Sequence, residues 1–199
     1  TYCDKKYNLF QLAPVAYIYN IFLYITKNND QILYNIISND FCDLSNTEKN
    51  EFLSELKKYG SLKNLTNYGK LNSENTTNYL QNLQKINNKL PYLEIIKKII
   101  EITNIYEKIN KKCEIFGENN DILLNKLYIQ IQNKLNNAIE TLDNLLNNSV
   151  DNLTDFINIL QKILTETEIS SVPSTTNQVF IGDTKSFFFN KKYVFVLGM

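Results

Sequence analysis

From residue 14 to about residue 165, apolar residues recur at helical spacing between capping and turn residues. Past residue 173 that spacing gives way to two short β-prone runs, 178–181 and 193–197. This change of period constrains the fold most, because a stripe repeating every 3.6 residues buries one face of a helix and cannot serve a strand. The last run, Tyr-Val-Phe-Val-Leu, reads as a strand buried on both faces, which calls for parallel neighbours and a following connection. The chain stops at Gly198 and Met199 before either. The expected architecture is therefore mainly α, a multi-helix domain of about six to seven helices followed by two short C-terminal β-strands from a truncated α/β lobe. On this expectation the chain is a piece of a larger protein.

Punctuation sets the helix boundaries. Pro14 suits a first helical turn, where its missing N–H is no loss, and the apolar run behind it carries a helix to about Thr26. A short helix over 31–38 follows. Ser45 with Glu48 three residues on is a capping box, and Gly60 ends that helix. Residues 62–70 read as a turn-like linker with Gly69 as punctuation. Ser73 or Asn75 caps a helix through Asn87, and Pro91 opens a long one that Gly117 closes. From 121 to 146 an almost heptad-like stripe reads as core or as a face for a partner helix. Its flanks are mostly Asn and Gln rather than complementary charges, against a coiled coil. Asp151 or Asn152 caps a last helix to about Thr165, and a loop over 170–174 follows, where Pro173 excludes helix.

Composition removes whole classes of chemistry. The 199 residues are 43% hydrophobic, enough for a real core. Lys+Arg and Asp+Glu are both 21, so no global field steers the chain to nucleic acid or an anionic membrane. Every basic residue is lysine, and asparagine, isoleucine and tyrosine abound, as an AT-rich coding sequence would give. Without histidine there is no Cys/His zinc site, imidazole base or histidine triad within the chain. Cys3, Cys42 and Cys113 are sparse and unpaired by spacing, which fits reduced thiols in a cytoplasmic setting. Residues 14–25 are apolar but too short to span a bilayer, and no signal-peptide pattern precedes them. The N-x-S/T triplets at Asn64, Asn75, Asn147 and Asn152 are expected by chance in so asparagine-rich a chain.

A helical region, then SSVPSTTNQVFIGDTKS, then KKYVFVLGM resembles the B subunit of bacterial AddAB-type ATP-dependent helicase-nucleases, relatives of the UvrD/Rep-like helicases. Phe41, Leu44, Ser45, Glu48, Tyr59 and Gly60 are similar to a second signature of that family. The resemblance implies a helical insertion domain over 1–172 and the start of a truncated RecA-like α/β lobe over 173–199. It implies a parent that is an ATP-dependent helicase/exodeoxyribonuclease subunit in DNA repair, with this segment carrying no active site. The partners it implies are DNA, through the parent protein, and the helicase-nuclease A subunit. The family's iron-sulfur cluster would lie outside this chain, with Cys3, Cys42 and Cys113 too early to ligate it, so no cofactor is expected in the segment. At Phe187, Phe188 and Phe189 the chain departs from the family, whose loop there carries arginines.

The candidate DNA-contacting residues are Gly182, Thr184, Lys185 and Ser186, in a turn where exposed N–H groups and hydroxyls suit phosphate oxygens, and the pair Lys191 and Lys192. The plainer reading is an ordinary turn and a solvated strand edge. Lys97, Lys98, Lys108, Lys111 and Lys112 form basic spots, with Tyr92 and Tyr106 as base-stacking candidates. Interleaved glutamates make a self-paired solvated face the simpler account. A second functional class stays open, a self-contained helical interaction or adaptor domain with no DNA role. Parallel pairing of 179–181 with 193–197 would favour the helicase reading, and antiparallel pairing the adaptor.

Overall fold

Helix α1 (Ala13–Lys27) is the axis around which the other elements gather. Val15, Tyr17, Ile18, Tyr19, Ile21, Phe22, Tyr24 and Ile25 are all buried, more than one face of a surface helix would hide. The computed structural model describes residues 6–27, 29–69, 73–146 and 152–170. Ahead of α1 come strand β1 (Lys6–Asn8) and a 3-10 turn over Leu9–Gln11. After it follow α2 (Asp30–Ile37), α3 (Asn46–Tyr59), α4 (Leu62–Asn67), α5 (Glu74–Gln84), α6 (Tyr92–Thr103), α7 (Ile105–Glu118), α8 (Ile122–Leu146), α9 (Leu153–Glu166) and strand β2 (Glu168–Ser170). The protein is thus mainly α, with nine α-helices among the described residues and one two-stranded antiparallel sheet. None of those helices is long and apolar enough to cross a membrane.

Helix α1 packs against α2, α5 and α6, while α8 packs between α7 and α9. On α8 the buried residues are Leu127, Ile131, Leu135, Ala138 and Leu142, spaced by three and four as a helical core face requires. On α9 they are Phe156, Ile157, Leu160 and Leu164. Phe22, Tyr92 and Phe156 form an aromatic knot joining α1, α6 and α9, with centroid separations of 5.1–6.4 Å. A small cavity of about 20 Å³ lies beside it, lined by Val15, Phe22, Ile96, Leu135 and Leu160 among other residues. It is roomy enough for about one water but offers no polar partner, so it is a dry packing defect.

Two helices exceed the seven read from the sequence. The segment expected to be a linker contains α4, because two acceptors satisfy its first N–H donors and its apolar pair is buried. Ser61 accepts from Asn64 N, Asp30 Oδ2 on α2 accepts from Leu62 N at 2.8 Å, and Leu62 and Leu65 are buried. The aspartate is a tertiary cap and has no local signature. The helix expected to run from Pro91 to Gly117 is broken at Asn104, which is left-handed at φ 48, ψ 38. Asparagine is among the few L-residues that visit this region routinely. The break turns the apolar stripe: Ile95, Ile96 and Ile99 are buried before it and Ile105 and Ile109 after it, leaving Ile102 exposed. The other punctuation holds, with Ser45 and Glu48 in a full capping box and Gly60 left-handed at φ 77.

Strand β2 is a further departure, because it takes in Ser170, the first residue of the loop expected over 170–174. Ile169 is fully buried, and the register pairs Lys6 with Ser170, Tyr7 with Ile169 and Asn8 with Glu168. The expected strands over 178–181 and 193–197 lie outside the described residues, and so does the boundary at 172/173.

Candidate interaction surfaces

The β1–β2 ribbon forms a neck that joins the two ends of the described helical body. Leu9 N donates to Thr167 O at 2.8 Å, continuing the pairing past the strands. Lys6 Nζ lies 2.8 Å from Glu168 Oε2, a pair exposed on both sides and worth little by itself. Gln130 Nε2 on α8 donates to Ser170 O at 2.9 Å and to Lys126 O at 2.8 Å, fixing the end of β2 against α8.

Inside the body lies a group of buried polar side chains. Tyr17 and Tyr79 share a hydroxyl–hydroxyl hydrogen bond of 2.8 Å, and Cys42 is beside Tyr79. Burial pushes both phenols and the thiol up from their ordinary values. A thiol held protonated this way is a poor nucleophile. Lys108 Nζ donates to Phe41 O at 3.0 Å, lies 2.7 Å from the Asp43 carboxylate and sits 5.7 Å over the Tyr17 ring centroid. The cluster ties α1, α5 and α7 to the loop before α3. Its parts are satisfied by one another, as a structural polar core requires.

Glu48 joins the starts of α3 and α5. Its Oε2 accepts from Ser45 N at 2.9 Å and Ser45 Oγ at 2.8 Å, and its Oε1 from Ser73 Oγ at 3.0 Å and Asn75 Nδ2 at 2.9 Å. The hydrogen bonds from Ser45, then those from Asn75 and Ser73, hold its carboxyl low, at about 2. Phe41 and Leu44 are buried, so five of the six residues of the second family signature have local structural duties: two in the core, Ser45 and Glu48 at the caps and Gly60 in its left-handed turn.

Three lysines of the basic spots are matched along their own helices. Lys97 pairs with Glu94 at 3.0 Å, Lys98 with Glu101 at 2.6 Å and Lys111 with Glu107 at 2.8 Å, all at helical spacing. The base-stacking candidates are corrected: Tyr92 packs edge-on against Phe22, and the Tyr106 hydroxyl donates to Asn136 Oδ1. Both rings are occupied within the fold. Gly182, Thr184, Lys185, Ser186, Lys191 and Lys192 lie outside the described residues. Among the described residues no group of three or more carboxylates or thiols is placed to hold a metal ion.

The surface that sequence reasoning missed is the tip of the α7–α8 hairpin. Asp121 N donates to Phe116 O and Asp121 Oδ1 accepts from Leu124 N, with Asn120 left-handed at φ 57, so the turn is tight and capped. Ile115, Ile122, Leu123, Leu124 and Ile129 are between 38% and 58% exposed there. Ile122 and Leu123 belong to the stripe expected to be core. The stripe continues past the point where neighbouring helices end, and spacing alone carries no sign of that limit. Glu114, Glu118, Asp121 and Lys126 are interspersed with these apolar residues along the chain. No family model, no curated protein and no solved structure matches the chain.

Proposed function

We propose that the chain is the non-catalytic helical insertion of a DNA-repair helicase-nuclease subunit of the AddAB B type, followed by the start of the lobe that carries it. The observation that carries this reading is the neck. A domain inserted in a host chain must enter and leave at neighbouring points, and β1 and β2 put Lys6 opposite Ser170. The motifs that resemble the family then follow directly, with GDTKS and YVFVLGM downstream of the neck where the host lobe would resume. Within the insertion, paired lysines and the exposed apolar hairpin tip favour packing against protein over gripping phosphate. The direct test is the reading frame beyond Met199: Asn-Glu-Gly with a proline soon after is the expected continuation, and a stop codon there sinks the reading. Titration of a forked DNA at several salt concentrations separates the two roles. A shallow salt slope is expected for contact with few phosphates, and no binding at low salt leaves the scaffold role alone.

The hairpin tip also favours a second reading, a self-contained helical adaptor whose α7–α8 face docks a partner protein. An apolar patch ringed by polar residues is what such a surface requires. Capture of the A subunit by the full chain supports the first reading, since the adaptor reading gives no reason for it.

A further inference from the structure

We infer that the junction of α3 and α4 is a binding platform for single-stranded nucleic acid, with the open ring of Tyr68 stacking on a base and Lys57, Lys58 and Lys63 meeting the phosphates. The inference stands apart from the helicase-nuclease reading, because it rests on described residues alone. It starts from charge. Lysines and carboxylates are equal in number over the whole chain, yet residues 56–69 hold three lysines and no acidic residue. All three are exposed, in the last turn of α3 and the first of α4. Among the described residues none of them is in an ion pair, in contrast to Lys97, Lys98 and Lys111, whose charges are matched by glutamates on their own helices. Glu55, one turn before Lys58, makes no pair with it, and Asp30 reaches the start of α4 from α2, where its Oδ2 accepts from Leu62 N.

Geometry adds the ring. Tyr68 is 66% exposed, more than any other large apolar side chain among the described residues. A lone exposed tyrosine is ordinary. Here, however, Tyr59 and Tyr68 are in contact, with centroids 5.3 Å apart, and Lys58 Nζ lies 5.2 Å over the Tyr59 ring centroid. Tyr59 therefore touches both the open ring and the ammonium, which makes them one site. The backbone holds that site in place: Gly60 turns the chain left-handed at φ 77, and Asn64, one helical turn before Tyr68, donates from Nδ2 to Tyr59 O at 2.8 Å. Lysine in a last helical turn also offsets the helix dipole, but that role needs no tyrosine pair. A ring for the base and ammonium groups for the backbone are what a sequence-tolerant single-strand site combines. An acidic peptide would use the lysines but brings no flat group for the ring.

Fluorescence anisotropy on the full chain tests this, with a labelled oligodeoxythymidine of about 15 nucleotides as the probe. The expected result is binding at low salt. Tyr68→Ala, a change at an exposed side chain, is expected to weaken it roughly tenfold, and Tyr68→Phe, which keeps the ring, to retain it. Lys57→Gln together with Lys58→Gln should make the log–log salt slope shallower by about 1. No binding at low salt, an unchanged affinity in Tyr68→Ala or an unchanged slope in the lysine variant overturns the inference. So does equal, Tyr68-dependent binding of polyglutamate, which assigns the junction to an acidic protein partner. An oligouridine in place of the oligodeoxythymidine tells whether the strand is DNA or RNA, and a preference for either supports the inference. A stop codon after Met199 would sink the helicase-nuclease reading and leave these outcomes untouched.

Discussion

Helix α1 and the first turns of α8 are built from the same kinds of residue, and they meet opposite fates. Phe22 and Ile21 on α1 are fully buried, whereas Ile122 and Leu123 on α8 stand partly in solvent. Hydrophobicity is a property of the residue, but burial is a property of the neighbours. Helix α1 has α2, α5 and α6 around it, whereas the first turns of α8 lie against α7, where Asn125 Nδ2 donates to Cys113 O. The hairpin tip consequently offers an apolar surface at a place where the sequence promises a core.

The contrast can be broken most directly at its strongest point. Phe22→Ala removes the centre of the aromatic knot and is expected to cost about 3–5 kcal/mol in urea unfolding. A cost below that of a typical surface substitution, about 0.5 kcal/mol, would show that α1 is not the axis of the core. Tyr17→Phe keeps the shape of the ring but leaves the buried Tyr79 hydroxyl without its 2.8 Å partner, an expected loss of about 1–2 kcal/mol by the same assay. Gly60→Ala tests the backbone without packing, because a Cβ there meets nothing within 4 Å while φ is 77. Its cost is about 1–2 kcal/mol, all of it conformational. On the other side of the comparison, Leu124→Ala at the tip should cost about 1 kcal/mol or less, since its side chain is already 38% exposed. A penalty as large as that of Phe22→Ala would mean that the tip is core after all.

The smallest effect is electrostatic. The Glu48 carboxyl is held at about 2, below its ordinary 4.5, so the stability it contributes is complete above about pH 4.5 and is lost as pH falls toward 2. Acid titration of the Glu48→Gln variant should therefore show a shallower fall in stability over that window than the native chain. Identical slopes would show that the link between the starts of α3 and α5 does not survive in solution.

Local signals were legible where the chain satisfies itself. The capping box at Ser45 and Glu48, the left-handed Gly60, Pro14 in the first turn of α1 and the Asn152 cap of α9 all depend on residues within a few positions of one another. Helix α4 was illegible because Asp30, which caps it, is 32 residues away. Strand β2 was illegible for the same reason, its partner β1 lying at the opposite end of the helical body. The break at Asn104 carried a weak signal, an asparagine within an apolar run, but in a chain so rich in asparagine one more does not stand out. Of the candidate surfaces, the paired lysines were readable from their spacing. The neck and the hairpin tip were not.

The sequence by itself determined that the chain is mainly helical, where most helices start and stop, and which chemistries its composition excludes, because periodicity, caps and residue inventory are local properties. Tertiary structure alone decided that the two ends of the helical body pair as a neck, that Tyr92 and Tyr106 point inward, and that part of the α8 stripe is left uncovered. These outcomes depend on which surfaces meet across long stretches of chain, and no local pattern specifies that.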